Sequence, residues 1–246
     1  MMRLFAVLLL LIPMGSFSQA LNAEYGSPIM VLTEKNPWLR VVGSDVPNFV
    51  LYEKGQIIYK KIKKDTVEYK QLKLDPIQTQ NFILDLGIQD ALFRLSDHIS
   101  ASGATDQPTN ELILNFDTLK IITVYGMLRE KTAKGRLQTP KAFIDIYDKL
   151  INYDTSIAVA WVPKQIEIMA WNYGHSVISR PWPKGWPDLH SATTVKRTPD
   201  MYSIYIDRKY FSDFRKYFGS MKEKESVDID GKKMAIYYRF PFPNIR

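Results

Sequence analysis

The chain contains no cysteine, and that absence constrains its fold more than any motif it carries. It excludes a disulfide scaffold, a thiolate zinc site, an iron–sulfur cluster, a Cys nucleophile and a lipid anchor on an N-terminal Cys. Of the 246 residues, 46% are hydrophobic and 13% aromatic, the composition of an ordinary folded protein. Such a fold must be held by the packing of its Trp, Tyr and Phe side chains. Three His residues leave little room for metal chemistry. The expectation is therefore no metal site and no cofactor.

The N-terminus reads as an address. Arg3 is followed by an apolar run from Leu4 to Met14, and small residues, Ser16 and Ser18, precede Gln19. This is the pattern of a secretory signal peptide over residues 1–18. The run is 11 residues long, too short for a membrane span of about 20. An exported chain with neither Cys nor an Asn-x-Ser/Thr sequon points to a bacterial envelope: periplasmic, cell-surface or extracellular. The formal charge of +7, from 33 basic and 26 acidic residues, becomes +6 once Arg3 is removed.

Periodicity predicts an α+β fold, with antiparallel sheets and a few capped amphipathic helices. Residues 19–45 read as a lead-in with a short strand at Ile29–Leu32 and a packed Trp38. Residues 46–153 form an N-terminal α+β unit. It has a hairpin turning at Lys54-Gly55, a third strand at Val67–Leu74 and a helix capped by Asp75-Pro76 and closed by Gly87. A short helix follows over Gln89–Leu95, then a hairpin around Asp117-Thr118, a basic connector at Lys131–Gln138 and a helix opened by Thr139-Pro140. Residues 154–246 form a C-terminal unit with a strand at Gln165–Tyr173 and a Pro- and Trp-rich irregular segment over Ser179–Pro199. A strand at Tyr202–Ile206, a helix from Asp207 to Gly219 and a hairpin at Asp230-Gly231 complete it. The order is compatible with two related strand–helix–hairpin units, which could form one domain.

Three stretches carry candidate sites. Four of the five Trp lie between Trp161 and Trp186, and Pro163, Pro181, Pro183 and Pro187 share that region. Pro fixes the backbone, so Trp182 and Trp186 are expected at set positions with little entropy left to lose on binding. With Trp171, Tyr173, Arg180, Asp188 and His190 they form a candidate surface for a glycan or peptide; the competing reading is a loop pinned by its own Trp side chains. The polar loop with His98, Thr105, Asp106 and Asn110 offers an acid/base pair, or simple turn chemistry. Finally, Lys54–Lys73 holds seven Lys, a candidate contact for an acidic partner or ordinary edge protection.

Catalytic templates are missing: no Gly-x-Ser-x-Gly elbow, His-Glu-x-x-His, phosphate loop or dinucleotide fingerprint. The sequence therefore gives no positive evidence for an enzyme. The reading it favours is an exported, non-enzymatic binding or accessory protein of the bacterial envelope. Its ligand would be a glycan, a peptide or an envelope protein, not nucleic acid, and the chain would not span the membrane. The alternatives are an envelope glycan or peptide hydrolase using Asp106 or Asp188 with His98 or His190, and a structural subunit of an envelope complex.

Overall fold

The computed structural model describes residues 22–39, 41, 43–63 and 66–245; the signal-peptide reading of residues 1–18 lies outside them. The first half holds β1 (Pro28–Lys35), β2 (Phe49–Tyr52), β3 (Gln56–Lys63), β4 (Thr66–Lys73), α1 (Pro76–Leu86), α2 (Asp90–Phe93), β5 (His98–Ser100), β6 (Thr109–Asn115), β7 (Leu119–Tyr125), α3 (Lys134–Gln138) and α4 (Lys141–Ile151). The second half holds β8 (Val159–Ala160), β9 (Gln165–Asn172), β10 (Ser179–Pro181), β11 (Thr194–Thr198), β12 (Met201–Asp207), α5 (Phe211–Gly219), β13 (Ser226–Ile229) and β14 (Lys232–Arg239).

The strands form two sheets, in the orders β5-β7-β6-β1-β2-β3-β4-β8 and β10-β13-β14-β9-β12-β11. Pairing is antiparallel except for β5 with β7 and β10 with β13. The fold is α+β. β1 lies between β2 and β6, so the segment read as a lead-in supplies an interior strand of the large sheet. β8, from the second half, joins that sheet beside β4.

The large sheet is buried on both faces. Met30, Leu32, Phe49, Leu51, Ile57, Tyr59, Leu112 and Leu114 pack with Leu86 of α1, Leu92 of α2 and Phe143, Ile146 and Leu150 of α4. The intervening residues Val31, Val50, Tyr52 and Ile58 join a second core. That core contains Ile166, Ile168 and Ala170 of β9, Ile204 and Ile206 of β12, Ile236 of β14 and Phe214 of α5. The C-terminal tail ties the two sheets together. Phe240 and Phe242 are buried against Trp161 and Tyr69, and the Tyr52 hydroxyl donates to the Pro243 carbonyl at 2.8 Å. Pro241 and Pro243 lack the N–H needed to extend the ladder, which leaves these rings free to leave the small sheet.

Local chemistry explains the best-defined turns. Asp75 accepts from the Gln78 amide while the Gln78 side chain accepts from the Asp75 amide, a complete capping box. Gly55 is required at the first hairpin: its φ is 76°, and a Cβ there would lie 2.4 Å from the Leu74 carbonyl oxygen.

Other expectations are corrected. Trp38 is 74% exposed rather than packed. Thr139 does not cap α4; its hydroxyl donates back to the Gly135 carbonyl at 2.7 Å, closing α3 instead. The connector at 131–138 contains that helix. Gly219 is the last residue of α5 and the right-handed Ser220 caps it. Asp207 caps a 3-10 turn at Arg208–Tyr210 that runs into α5. Thus α1 and α5 do not share their caps. The segment 179–199, expected to be irregular, contains β10 and β11.

Candidate binding cleft

The Trp/Pro segment is anchored from both ends. β10 pairs in parallel with β13, placing Arg180 beside Val227 and Pro181 beside Asp228. The Trp182 amide continues the pairing to the Asp228 carbonyl at 2.9 Å. The chain then turns through Pro183–Gly185 and returns, and the Trp182 indole N–H closes the loop on the Pro187 carbonyl at 2.9 Å. Next, the Leu189 amide donates to Asp230 Oδ2 at 3.0 Å. This bond fastens the segment to the β13–β14 turn. Asp230 and Gly231 there both have positive φ, 54° and 76°, the geometry of a tight hairpin turn.

Trp182 and Trp186 are half-buried. Their rings meet edge to face at 5.3 Å, and Tyr217 of α5 contacts both, at 6.0 and 5.8 Å. Trp186 also rests on Tyr210 and Phe214. The pinned-loop reading therefore describes one side of each ring. Their other surfaces, with Pro181, Pro183, Lys184, Asp188, Asp228 and Asp230, line a cleft of about 430 Å³. That volume lies within the range of small-ligand sites, roughly 300–1,000 Å³.

Arg180 lines the same cleft but is spent internally. Its Nε and Nη2 grip both oxygens of Glu225 at 2.8 and 2.7 Å. The remaining N–H groups reach the Tyr217 carbonyl, the Ser220 hydroxyl and the Ser220 carbonyl. The Arg180 guanidinium, aided by the Lys222 amide, holds the Glu225 carboxyl below its ordinary value. Burial pushes the Tyr217 phenol up to about 12, and its hydroxyl donates to the Pro181 carbonyl at 2.9 Å. The Asp188 carboxyl is held low by the Ser191 hydroxyl and the His190 amide.

The other residues singled out by sequence are dispersed. Trp171, 41% exposed, and Tyr173 line a second cleft of about 440 Å³ with Glu225 and Ala235. Arg180 lines one cleft and Glu225 the other, so their ion pair stands between them. His190 does not line the first cleft; it is exposed, its Nε2 4.0 Å from Asp230 Oδ2. Asp188 accepts the His190 backbone amide rather than meeting its ring. His98 lies on β5, and Thr105 and Asp106 are exposed in the loop after it. Asn110 is not a loop residue: it is buried in β6, with Nδ2 donating to the Gly126 carbonyl at 2.9 Å. Its Oδ1 has no partner among the described residues. No hydrogen bond joins His98 to Asp106 or the His190 ring to Asp188 among the described residues. The same residues hold no group of three or more His, Asp or Glu arranged for a metal ion.

Sequence reasoning missed Asp228 and Asp230. Asp228 read as a strand residue and Asp230 as part of the Asp-Gly turn; the pairing of β10 with β13 and the Leu189 amide bond to Asp230 bring them to the Trp/Pro segment. The chain matches no protein-family model, no curated protein and no solved structure.

Proposed function

We propose that this chain is an exported binding protein of a bacterial envelope that takes its ligand at the Trp182–Trp186 cleft. The observation that carries this reading is a rigid concavity with two indoles in its wall. The Trp182 amide bond to the Asp228 carbonyl at one end, the Trp182 indole bond to the Pro187 carbonyl, and the Leu189 amide bond to the Asp230 carboxylate at the other end hold it in place. Binding there would immobilise little of the protein, which leaves more of the contact energy for affinity. The pairs on which a hydrolase reading would rest, Asp106 with His98 and Asp188 with the His190 ring, share no hydrogen bond among the described residues. No helix among the described residues is long and apolar enough to cross a membrane.

The test is a panel of glycan oligomers and short peptides titrated into the purified protein, followed by indole fluorescence and calorimetry. A ligand should bind the wild type and bind Trp182→Ala at least tenfold more weakly, with the variant still folded. Binding that ignores this substitution, or no binding across the panel, rejects the reading. Export is tested separately. Expression in a Gram-negative host should yield a periplasmic product beginning at or just after Gln19; an unprocessed cytosolic product rejects it.

A further inference from the structure

The two aromatic clefts meet at one ion pair. Arg180 lines the Trp182–Trp186 cleft, Glu225 lines the cleft beside Trp171, and the two side chains join at 2.7 Å. The cleft volumes match, about 430 and 440 Å³. The chain also ties the clefts together. Glu225 of the second and Asp228 of the first are three residues apart, a span of at most about 11 Å. Tyr173 of the second leads through residues 174–178 to Ser179 of the first. That connection is fixed in place. The Ser176 hydroxyl lies 2.7 and 2.9 Å from the Ile178 and Lys224 carbonyls, and Lys233 Nζ donates to the Ser176 carbonyl at 2.8 Å.

Both clefts offer rings together with unengaged polar groups of both kinds. In the second, Trp171 stands opposite the small Ala235 in the β9–β14 register. Neither Trp171 nor Tyr173 meets another aromatic ring among the described residues. The Trp171 indole N–H, the Tyr173 hydroxyl and the Lys224 ammonium make no hydrogen bond there, and neither does the Glu223 carboxylate. In the first cleft the Trp186 indole N–H, the Ser179 hydroxyl and the Lys184 ammonium are likewise unengaged among the described residues. Asp188, Asp228 and Asp230 each give one oxygen to the local backbone and keep the other; the His190 ring lies 4.0 Å from the engaged oxygen of Asp230.

A ligand hydroxyl uses both kinds of partner, since it donates and accepts. An amine uses only the acceptors, and an anion only the donors. The two linings hold three basic against five acidic side chains, which disfavours an acidic polymer. An extended peptide takes its affinity from main-chain bonds along a strand edge. The edge strand here, β10, is three residues long and ends in Pro181, which has no N–H. A sugar ring presents an apolar C–H face to an indole and its hydroxyls to the polar groups around it.

We propose that the Trp182–Trp186 cleft is one half of a longer groove, and that its ligand is a neutral linear oligosaccharide that crosses the Arg180–Glu225 ion pair to rest on Trp171 and Tyr173. This rests on the reading above that the first cleft is the ligand site. Arg180, bonded to Glu225, Tyr217 and Ser220, is then the rigid ridge between two subsites. The second contact of one ligand chain is intramolecular, so affinity climbs with chain length although neither contact grows stronger.

The test is a length series. β-Linked oligomers of glucose and of N-acetylglucosamine, from dimer to hexamer, are titrated calorimetrically beside uncharged peptides of matching length. For at least one sugar series, affinity should rise at least tenfold from dimer to hexamer. Trp171→Ala should lower the hexamer's affinity to that of the dimer, whereas Trp182→Ala should weaken both. Should Trp171→Ala unfold, Ala235→Leu gives the second readout: it fills the second cleft and should remove the same gain with length. Affinity that does not grow with length, or that grows and ignores both substitutions, overturns the longer groove. Sensitivity of the dimer to Trp182→Ala would still keep the first cleft as the ligand site. Binding of the peptides with failure of the sugars overturns the oligosaccharide assignment and leaves that cleft standing if Trp182→Ala weakens it. Binding of neither class overturns this assignment and the cleft reading together.

Discussion

The Lys-rich hairpin β3–β4 and the Trp/Pro segment after β10 each concentrate one kind of side chain, and the fold treats them in opposite ways. In the hairpin, charge is consumed. Lys61 and Lys70 both pair with Asp154, at 2.9 and 3.2 Å. Lys63 meets Glu68, and Lys73 donates to the Lys54 carbonyl. Lys60 is partly buried, and burial together with Arg129 pushes its amine down. In the Trp/Pro segment the cation is the group consumed, through Arg180 and Glu225, while carboxylate oxygens remain unengaged at the cleft. A run of like charge along the chain is thus a poor guide to a charged surface. Acidic residues from separate parts of the chain, at positions 188, 228 and 230, come together at one cleft.

The largest expected effect tests whether the segment stands on the small-sheet core. Phe214 is fully buried and touches Trp186, Phe218 and Tyr238. Phe214→Ala should destabilise the protein by about 3–5 kcal/mol in denaturant unfolding. It should also change the fluorescence of Trp186. A loss of stability with unchanged indole emission would separate the cleft wall from the core and break the comparison.

An intermediate effect tests the hairpin. Hydrogen bonds from Lys61, Lys70 and Tyr59 hold the Asp154 carboxyl far below its ordinary value. Its folded pKa lies below its unfolded one, so its contribution is present above the unfolded value of about 3.9 and is lost as pH falls through the folded value. Asp154→Asn should therefore lower the melting temperature at neutral pH. The gap from wild type should narrow as pH falls below about 4. A gap independent of pH would show that the Lys side chains do not depend on this carboxylate.

A smaller effect probes the turn that presents the carboxylates. Gly231 has a φ of 76° with open space around its Cα, so the cost of a side chain there is backbone strain alone. Gly231→Ala should destabilise by about 1–2 kcal/mol and weaken ligand binding in proportion to the displaced Asp228 and Asp230. Unaltered stability would mean that this turn does not fix the cleft.

These cases also mark what a reader of the sequence can see. The hairpins at Lys54-Gly55 and Asp230-Gly231 and the helix from Pro76 were legible because turn and cap chemistry is local. β1 was underestimated because Met30, Val31 and Leu32 are buried on opposite faces, and a doubly covered strand loses the polar alternation that marks a surface one. β10 was hidden because it is three residues long, contains Pro181 and pairs with a strand 47 positions away. For the cleft, Trp182, Trp186 and Asp188 were legible from composition. The loss of Arg180 to Glu225 was not, because nothing in the sequence ranks that carboxylate among 26 acidic residues.

The smallest effect bears on the hairpin's exposed end. The Lys63 and Glu68 side chains are 56% and 50% exposed and lie 3.5 Å apart. Water and salt screen such a pair, and two long side chains lose rotamer freedom in holding it. Glu68→Gln should therefore change stability by no more than about 0.5 kcal/mol. Its informative readout is binding. Removing the acid adds a net positive charge to the hairpin, so binding to anionic vesicles would rise if this surface met acidic partners. Ligand binding at the Trp182–Trp186 cleft, on the other sheet, should stay constant. If vesicle binding is present in wild type and strengthens in the variant, the hairpin's charge is not consumed internally, and the contrast between the two regions fails on that side.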